Sequence, residues 1–153
     1  MEICKEFTFE ASHVLPNHKG KCSNLHGHSW KLTVYVRGPV DEETGMVVDY
    51  GDIKSSIQPI IDDLDHAHLG AWETDRVTIL HKPESGGIKG VGWLIWEKPG
   101  VLKFFNPTSE NLLIEIARQI VKRGQVFSSL TLDETCTVSC LLTWEEFNQL
   151  GKQ

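Results

Sequence analysis

The sequence has no apolar run approaching the length of a membrane span, so no membrane-crossing helix is expected. It also has no basic excess. Fifteen Lys and Arg face 21 Asp and Glu, a formal charge of −6, which speaks against a nucleic-acid surface. An anionic small molecule is not excluded, because a local basic pocket can exist on an acidic protein. His18, Lys19 and Lys21 are placed to form one. There is no internal repeat and no low-complexity segment. Met1-Glu2-Ile3-Cys4-Lys5 carries no signal-peptide pattern. Four cysteines without such a signal suggest a reducing compartment, so a cytoplasmic protein is expected. Cys136 and Cys140 lack the second ligand pair that a Cys-x3-Cys metal site needs. Their parity with Val138, Leu142 and Trp144 reads instead as small buried residues of a strand.

What is present is concentrated in Cys22-Ser23-Asn24-Leu25-His26-Gly27-His28, with His13 upstream. His26 and His28 are two apart, so on a strand they share a face, and Gly27 leaves backbone room between them. Trp30, Leu32, Val34 and Val36 continue that face, while Lys31, Thr33, Tyr35 and Arg37 take the other. Phe7, Phe9, Ala11 and His13 show the same period. Two adjacent antiparallel strands then bring His13 against His26 and His28 at one end of a sheet. Three neutral imidazoles suit Zn²⁺ and leave a fourth position open, the arrangement of a catalytic zinc. Cys22 is then either a fourth ligand or a catalytic base.

The rest of the chain reads as one α+β domain over residues 1–153. Strands are expected over 3–14 and 28–38, a turn at 39–45 and a short extended piece at 46–49. A helix is expected over 51–64 on the stripe Ile53, Ile57, Ile60, Ile61, Leu64, with Pro59 kinking it. A second helix spans 109–122 on Leu112, Leu113, Ile116, Ala117 and Ile120. Thr108 or Ser109 is its cap, and Gly124 follows its end. Strands over 126–133 and 135–144 close the chain. Residues 70–105 read as a long insertion, an extra hairpin or a loop, with a turn at 83–87 and an extended run over 91–96.

Asp65 beside His66, where the first helix ends, is a pair in which a carboxylate can fix an imidazole's tautomer. Glu134 lies in the C-terminal strand pair. It is either a solvated strand carboxylate or an acceptor of paired N–H donors from an amino-heterocycle.

Taken together, these segments resemble the family of the 6-pyruvoyl- and 6-carboxy-tetrahydropterin synthases. The resemblance runs in order through Phe-Thr-Phe-Glu-Ala-Ser-His at 7–13, Cys-x3-His-Gly-His at 22–28 and Gly-x-Val-Val-Asp at 45–49. It continues through Leu-Asp-His-x-x-Leu at 64–69, Asn-Pro-Thr-Ser-Glu-Asn at 106–111 and Glu-Thr-Cys-Thr at 134–137. The Cys-x3-His-Gly-His spacing looks like the 6-carboxy branch. The segment 70–105 is longer than in compact members of the family. The resemblance implies a tunnelling fold: a four-stranded antiparallel sheet with two helices on one face, closed with other copies into a trimeric or hexameric barrel whose sites lie between subunits. It implies zinc on His13, His26 and His28 and 7,8-dihydroneopterin triphosphate as substrate. The products it implies are 6-carboxy-tetrahydropterin, acetaldehyde and triphosphate, on the way to 7-deazaguanine nucleosides such as queuosine. Cys22 becomes the base and Asp65 with His66 a proton relay. Glu134 becomes the pterin anchor and a possible member of that relay, and Thr108 and Ser109 lie near the pterin. A sister reaction that eliminates triphosphate without carbon–carbon cleavage is the alternative activity. A non-catalytic zinc- or pterin-binding module is the alternative class, but binding alone needs no Cys22, Asp65 or His66.

Overall fold

The computed structural model describes residues 1–15, 18–69 and 106–151, and between 70 and 105 only the backbone of four short strands. β1 (Glu2–His13) and β2 (His26–Arg37) are two twelve-residue antiparallel strands. Their register runs from Glu2 opposite Arg37 to His13 opposite His26. A 3₁₀ turn, Lys21–Ser23, lies in the connection. α1 (Tyr50–Leu64) follows, then β3 (Ala67–Leu69), which pairs parallel to β1. β4 (Trp72–Thr74) pairs with β5 (Val77–Ile79), and β6 (Trp96–Lys98) with β7 (Val101–Leu102). α2 (Ser109–Lys122), β8 (Ser129–Thr135), β9 (Val138–Thr143) and α3 (Trp144–Leu150) complete the chain. The main sheet has the order β3-β1-β2-β8-β9.

The alternation in β1 and β2 divides the sheet into a dry face and a wet one. Phe7, Phe9, Ala11, Trp30, Leu32, Val34, Leu130 and Leu132 are buried under the apolar stripes of α1 and α2. α1 packs over β1, and α2 over β8 and β9. The opposite face carries Glu6, Lys31 and Asp133, with Lys31 3.3 Å from Glu6 and 3.1 Å from Asp133. Both helices are capped as their sequences require. The Asp49 side chain accepts from Gly51 N at 2.6 Å, and Thr108 Oγ1 from Asn111 N at 3.4 Å. Gly124, at φ 77°, takes the left-handed position after α2.

Several expectations need correction. The sheet has five strands rather than four, because β3 adds a parallel edge to β1. There are three helices rather than two among the described residues. Trp144 opens α3 instead of ending a strand, because a capping box between Thr143 and Glu146 turns the chain. Residues 46–49 form bends and the approach to the α1 cap, not an extended piece. The last two strands start and end elsewhere than expected, at Ser129–Thr135 and Val138–Thr143. Of the residues expected buried on one parity, Leu142 is, Cys140 is half-buried, and Cys136 and Val138 are exposed. The tight turn between β8 and β9 accounts for the last two. Burial pushes the Cys140 thiol up to about 11, as expected of an inert packing residue. The turn expected at 83–87 lies outside the described residues, as does the run expected over 91–96 apart from Trp96, which opens β6.

Candidate metal centre and adjoining groove

The long β1–β2 ladder ends at the paired residues His13 and His26, with His28 opposite Ala11. All three histidines therefore project from the dry face at one end of the sheet, as the spacing predicts. Gly27 eases the close approach there, since a Cβ at that position would crowd the Ala11 carbonyl at 3.3 Å. Trp30 forms the floor. Its indole N–H donates to the Ala11 carbonyl at 3.2 Å, and its ring stands edge-on to His13 and His28 at 5.3 and 5.5 Å. His13 is fully buried, and that burial pushes its pKa below the ordinary histidine value.

The ring nitrogens are oriented for a cation. His13 Nδ1 lies 2.8 Å from the Pro107 carbonyl and His26 Nδ1 2.8 Å from the Asn24 carbonyl. A carbonyl only accepts, so each Nδ1 carries the hydrogen and each Nε2 presents a lone pair. Those two Nε2 atoms face each other at 3.1 Å. His28 Nε2 is buried and finds no hydrogen-bond partner among the described residues, although Glu134 Oε1 is 3.1 Å away. Glu134 Oε1 is also 3.4 Å from His13 Nε2. His13, His26, His28 and Glu134 thus bring four ligand atoms within 4.8 Å of one another. Lone pairs at such distances repel unless a positive charge lies between them. Tetrahedral zinc with Zn–N bonds of about 2.0–2.1 Å holds its ligand nitrogens roughly 3.3 Å apart, so the residues fit that ion.

Cys22 stands in the 3₁₀ turn, half-buried, with its sulfur outside this cluster. Asp65 and His66 follow α1. Asp65 Oδ1 accepts from Glu10 N at 2.8 Å, and its Oδ2 lies 2.9 Å from His66 Nδ1. The Glu10 amide, then His66, hold the Asp65 carboxyl below its ordinary value. His66 sits in the left-handed region at φ 58° and donates its backbone N–H to the Glu10 carbonyl. Thr108 serves as the α2 cap, which is the plainer of its two readings. Ser109 is buried at the start of α2. His18, Lys19 and Lys21 are exposed, and His18 Nδ1 accepts from Gly20 N at 2.9 Å.

Across the wet face runs an open groove of about 490 Å³, lined among others by Glu10, Ser12, His28, Ser29, His66 and His68. It runs from the His28 position of β2 to the His66 end of the Asp65 pair, on the sheet face opposite the three imidazoles. Sequence reasoning missed His68, which is buried beside Ser12, with Nδ1 3.1 Å from Ser12 Oγ. Its partnership depends on β3, which had not been foreseen. It also missed the Pro107 and Asn24 carbonyls, since a backbone carbonyl leaves no mark in residue type. Their one signal is adjacency to the Asn-Pro-Thr-Ser and His-Gly-His segments.

An open α+β sheet with three histidines gathered at one end of its β1–β2 ladder, where they could hold a metal, is the architecture of the tunnelling-fold class. The family model for 6-pyruvoyl tetrahydropterin synthase matches residues 2–145, and the chain belongs to that family. It is 33% identical over 152 residues to a 6-carboxy-5,6,7,8-tetrahydropterin synthase of Haemophilus influenzae, covering 94% of this chain and 92% of that protein. A protein of the same name from Synechocystis is 39% identical over 102 residues, covering 58% of this chain and 79% of the relative. The solved Caenorhabditis elegans 6-pyruvoyl tetrahydropterin synthase superposes with a TM-score of 0.68 at 22% identity, covering 94% of each chain, which establishes the fold.

Proposed function

We propose that this chain is a zinc-dependent 6-carboxy-5,6,7,8-tetrahydropterin synthase. It takes 7,8-dihydroneopterin triphosphate to 6-carboxy-tetrahydropterin, acetaldehyde and triphosphate, in cytoplasmic 7-deazaguanine biosynthesis of the queuosine type. The observation that carries this reading is the convergence of the His13, His26 and His28 Nε2 atoms, two of them held as lone-pair donors by backbone carbonyls. The relatives' names and the Cys-x3-His-Gly-His spacing support the 6-carboxy reaction over its sister.

Zinc held by these nitrogens supplies Lewis acidity to the substrate's side-chain oxygens. The remaining work belongs to side chains. Cys22, whose sulfur stands apart from the cluster, is left to act as a base on a side-chain proton. Asp65 is ionised at neutral pH and holds the His66 Nδ1–H, so His66 Nε2 is the atom that gives or takes a proton. Glu134 accepts the pterin's amino and ring N–H edge as a bidentate carboxylate and connects to the relay. Thr108 and Ser109 flank that edge from the start of α2. Neither Cys22 nor Glu134 lines the groove that His66 opens onto. A complete site is therefore assembled from two copies of the chain in a trimer or hexamer.

Incubation of the purified protein with dihydroneopterin triphosphate, with products identified by mass, tests the reaction. About one zinc per chain, acetaldehyde and 6-carboxy-tetrahydropterin are expected. Triphosphate release without acetaldehyde would assign the sister activity. Absence of any turnover by zinc-replete protein would leave a binding module.

A further inference from the structure

The nearness of Glu134 to the three histidines is more than an anchoring residue needs. Its Oε1 lies 3.1 Å from His28 Nε2 and 3.4 Å from His13 Nε2. A carboxylate beside a ring N–H would make a hydrogen bond, yet His28 Nε2 makes none among the described residues. Carboxylate oxygen and imidazole nitrogen instead lie, without a hydrogen bond between them, within the same 4.8 Å cluster of ligand atoms. The backbone provides for this. The β8–β9 register shifts between Asp133 and Thr135, so Asp133 pairs with Ser139 and Thr135 with Val138. Glu134 is left as the unpaired residue of a bulge, the device by which strands re-aim one side chain. Glu134 is only partly exposed, at 19% of its side chain.

We infer that Glu134 is the fourth metal ligand when the site holds no substrate, and that the pterin displaces it. This rests on the metal and pterin reading above. Three imidazoles and one carboxylate close a tetrahedral site, whereas catalysis needs an open position. The same carboxylate therefore does two jobs in turn. In the resting protein it fills the position that substrate oxygens will take. When the pterin enters, its amino and ring N–H donors draw Glu134 off the metal, and the position opens only with substrate at hand. The exchange transfers no electrons and breaks no covalent bond within the substrate.

Cobalt(II) substitution reads this directly, because four-coordinate cobalt absorbs visible light far more strongly than six-coordinate cobalt. Substrate-free wild type is expected to show the intense four-coordinate bands. Glu134→Gln should weaken them and lower cobalt affinity about 10-fold or more in a chelator competition, at least the loss that follows removal of a partner behind a ligand. Glu134→Asp keeps the charge but shortens the reach, and its spectrum should follow the Gln variant. A wild-type spectrum in the Asp variant would mean that charge alone suffices and would overturn ligation. Addition of neopterin, an unreactive pterin, should change the wild-type spectrum. Bound neopterin with an unchanged spectrum would overturn the exchange. Cobalt binding that is lost in His26→Ala but unmoved in Glu134→Gln would sink this inference alone. Wild type that binds no cobalt would remove the metal reading with it.

Discussion

His66 is the only described non-glycine residue at positive φ, and it occupies the most strained backbone position near the groove. A branched or ringed residue in the left-handed region costs on the order of 1–3 kcal/mol, and such strain persists where neighbours impose it. Here the neighbour is the β1 backbone. Glu10 donates its N–H to Asp65 and accepts the His66 N–H, so the α1–β3 turn is pinned on both sides. The strain aims the imidazole at the groove. His66→Gly should therefore raise the free energy of unfolding by about 1 kcal/mol while abolishing proton transfer at this position. Turnover should fall by about a hundredfold or more, the usual cost of a removed general acid–base. Urea titration beside steady-state kinetics checks both halves. A variant that loses stability along with activity would mean that His66 serves the fold. The histidine triad was legible at this scale because strand period alone decides which side chains share a face. The position of Glu134 beside it was not, because it depends on a bulge more than a hundred residues away in the chain.

At the scale of elements, α1 runs unbroken from Tyr50 to Leu64 through Pro59, although that proline predicts a kink. The reason lies in where it falls. Ile57, Ile60 and Ile61 are buried, while Pro59 lies on the exposed side. The carbonyl that loses its N–H partner is that of Ser55, also on the exposed side, where water can satisfy it. Tertiary packing of the isoleucine stripe holds the helix against its own propensity. Pro59→Ala should then stabilise the protein by up to about 3 kcal/mol, the difference between the two residues in a helix interior. The midpoint of chemical unfolding would move upward with little change in slope. A lower midpoint would mean that the core is packed around a proline-bent helix. The long elements were readable for the same reason: β1, β2, α1 and α2 each repeat their period several times. β3 is three residues long and shows no alternation, so only its pairing to β1 defines it. α3 did carry a signal, since Thr143 and Glu146 stand at capping-box spacing. The strand parity of Cys140, Leu142 and Trp144 overrode it.

At the scale of the whole molecule, the main sheet is dry on one face and, among the described residues, open at both edges. β9 forms one edge, where Val138 and Leu141 are 49% and 59% exposed. An unpaired strand carrying exposed apolar residues is a surface that natural proteins cover. The wet face, with its Glu6–Lys31–Asp133 network, is already satisfied in water and needs no second layer. Edge-to-edge joining of several copies would cover the strands and leave that face lining a solvated channel. It would also bring the Cys22 and Glu134 end of one chain toward the His66 groove of another. Subunit complementation tests this arrangement. Cys22→Ala and His66→Ala chains should each be inactive alone. Co-refolded in equal amounts, they should recover about a quarter of wild-type turnover, the statistical share of sites drawing both intact residues from different chains of a symmetric oligomer. Size-exclusion chromatography on the same mixture confirms that mixed oligomers have formed. If they form and no activity returns, Cys22 and His66 act within one chain. The site would then be built from one chain, and its Cys22 would have to reach the groove that His66 lines.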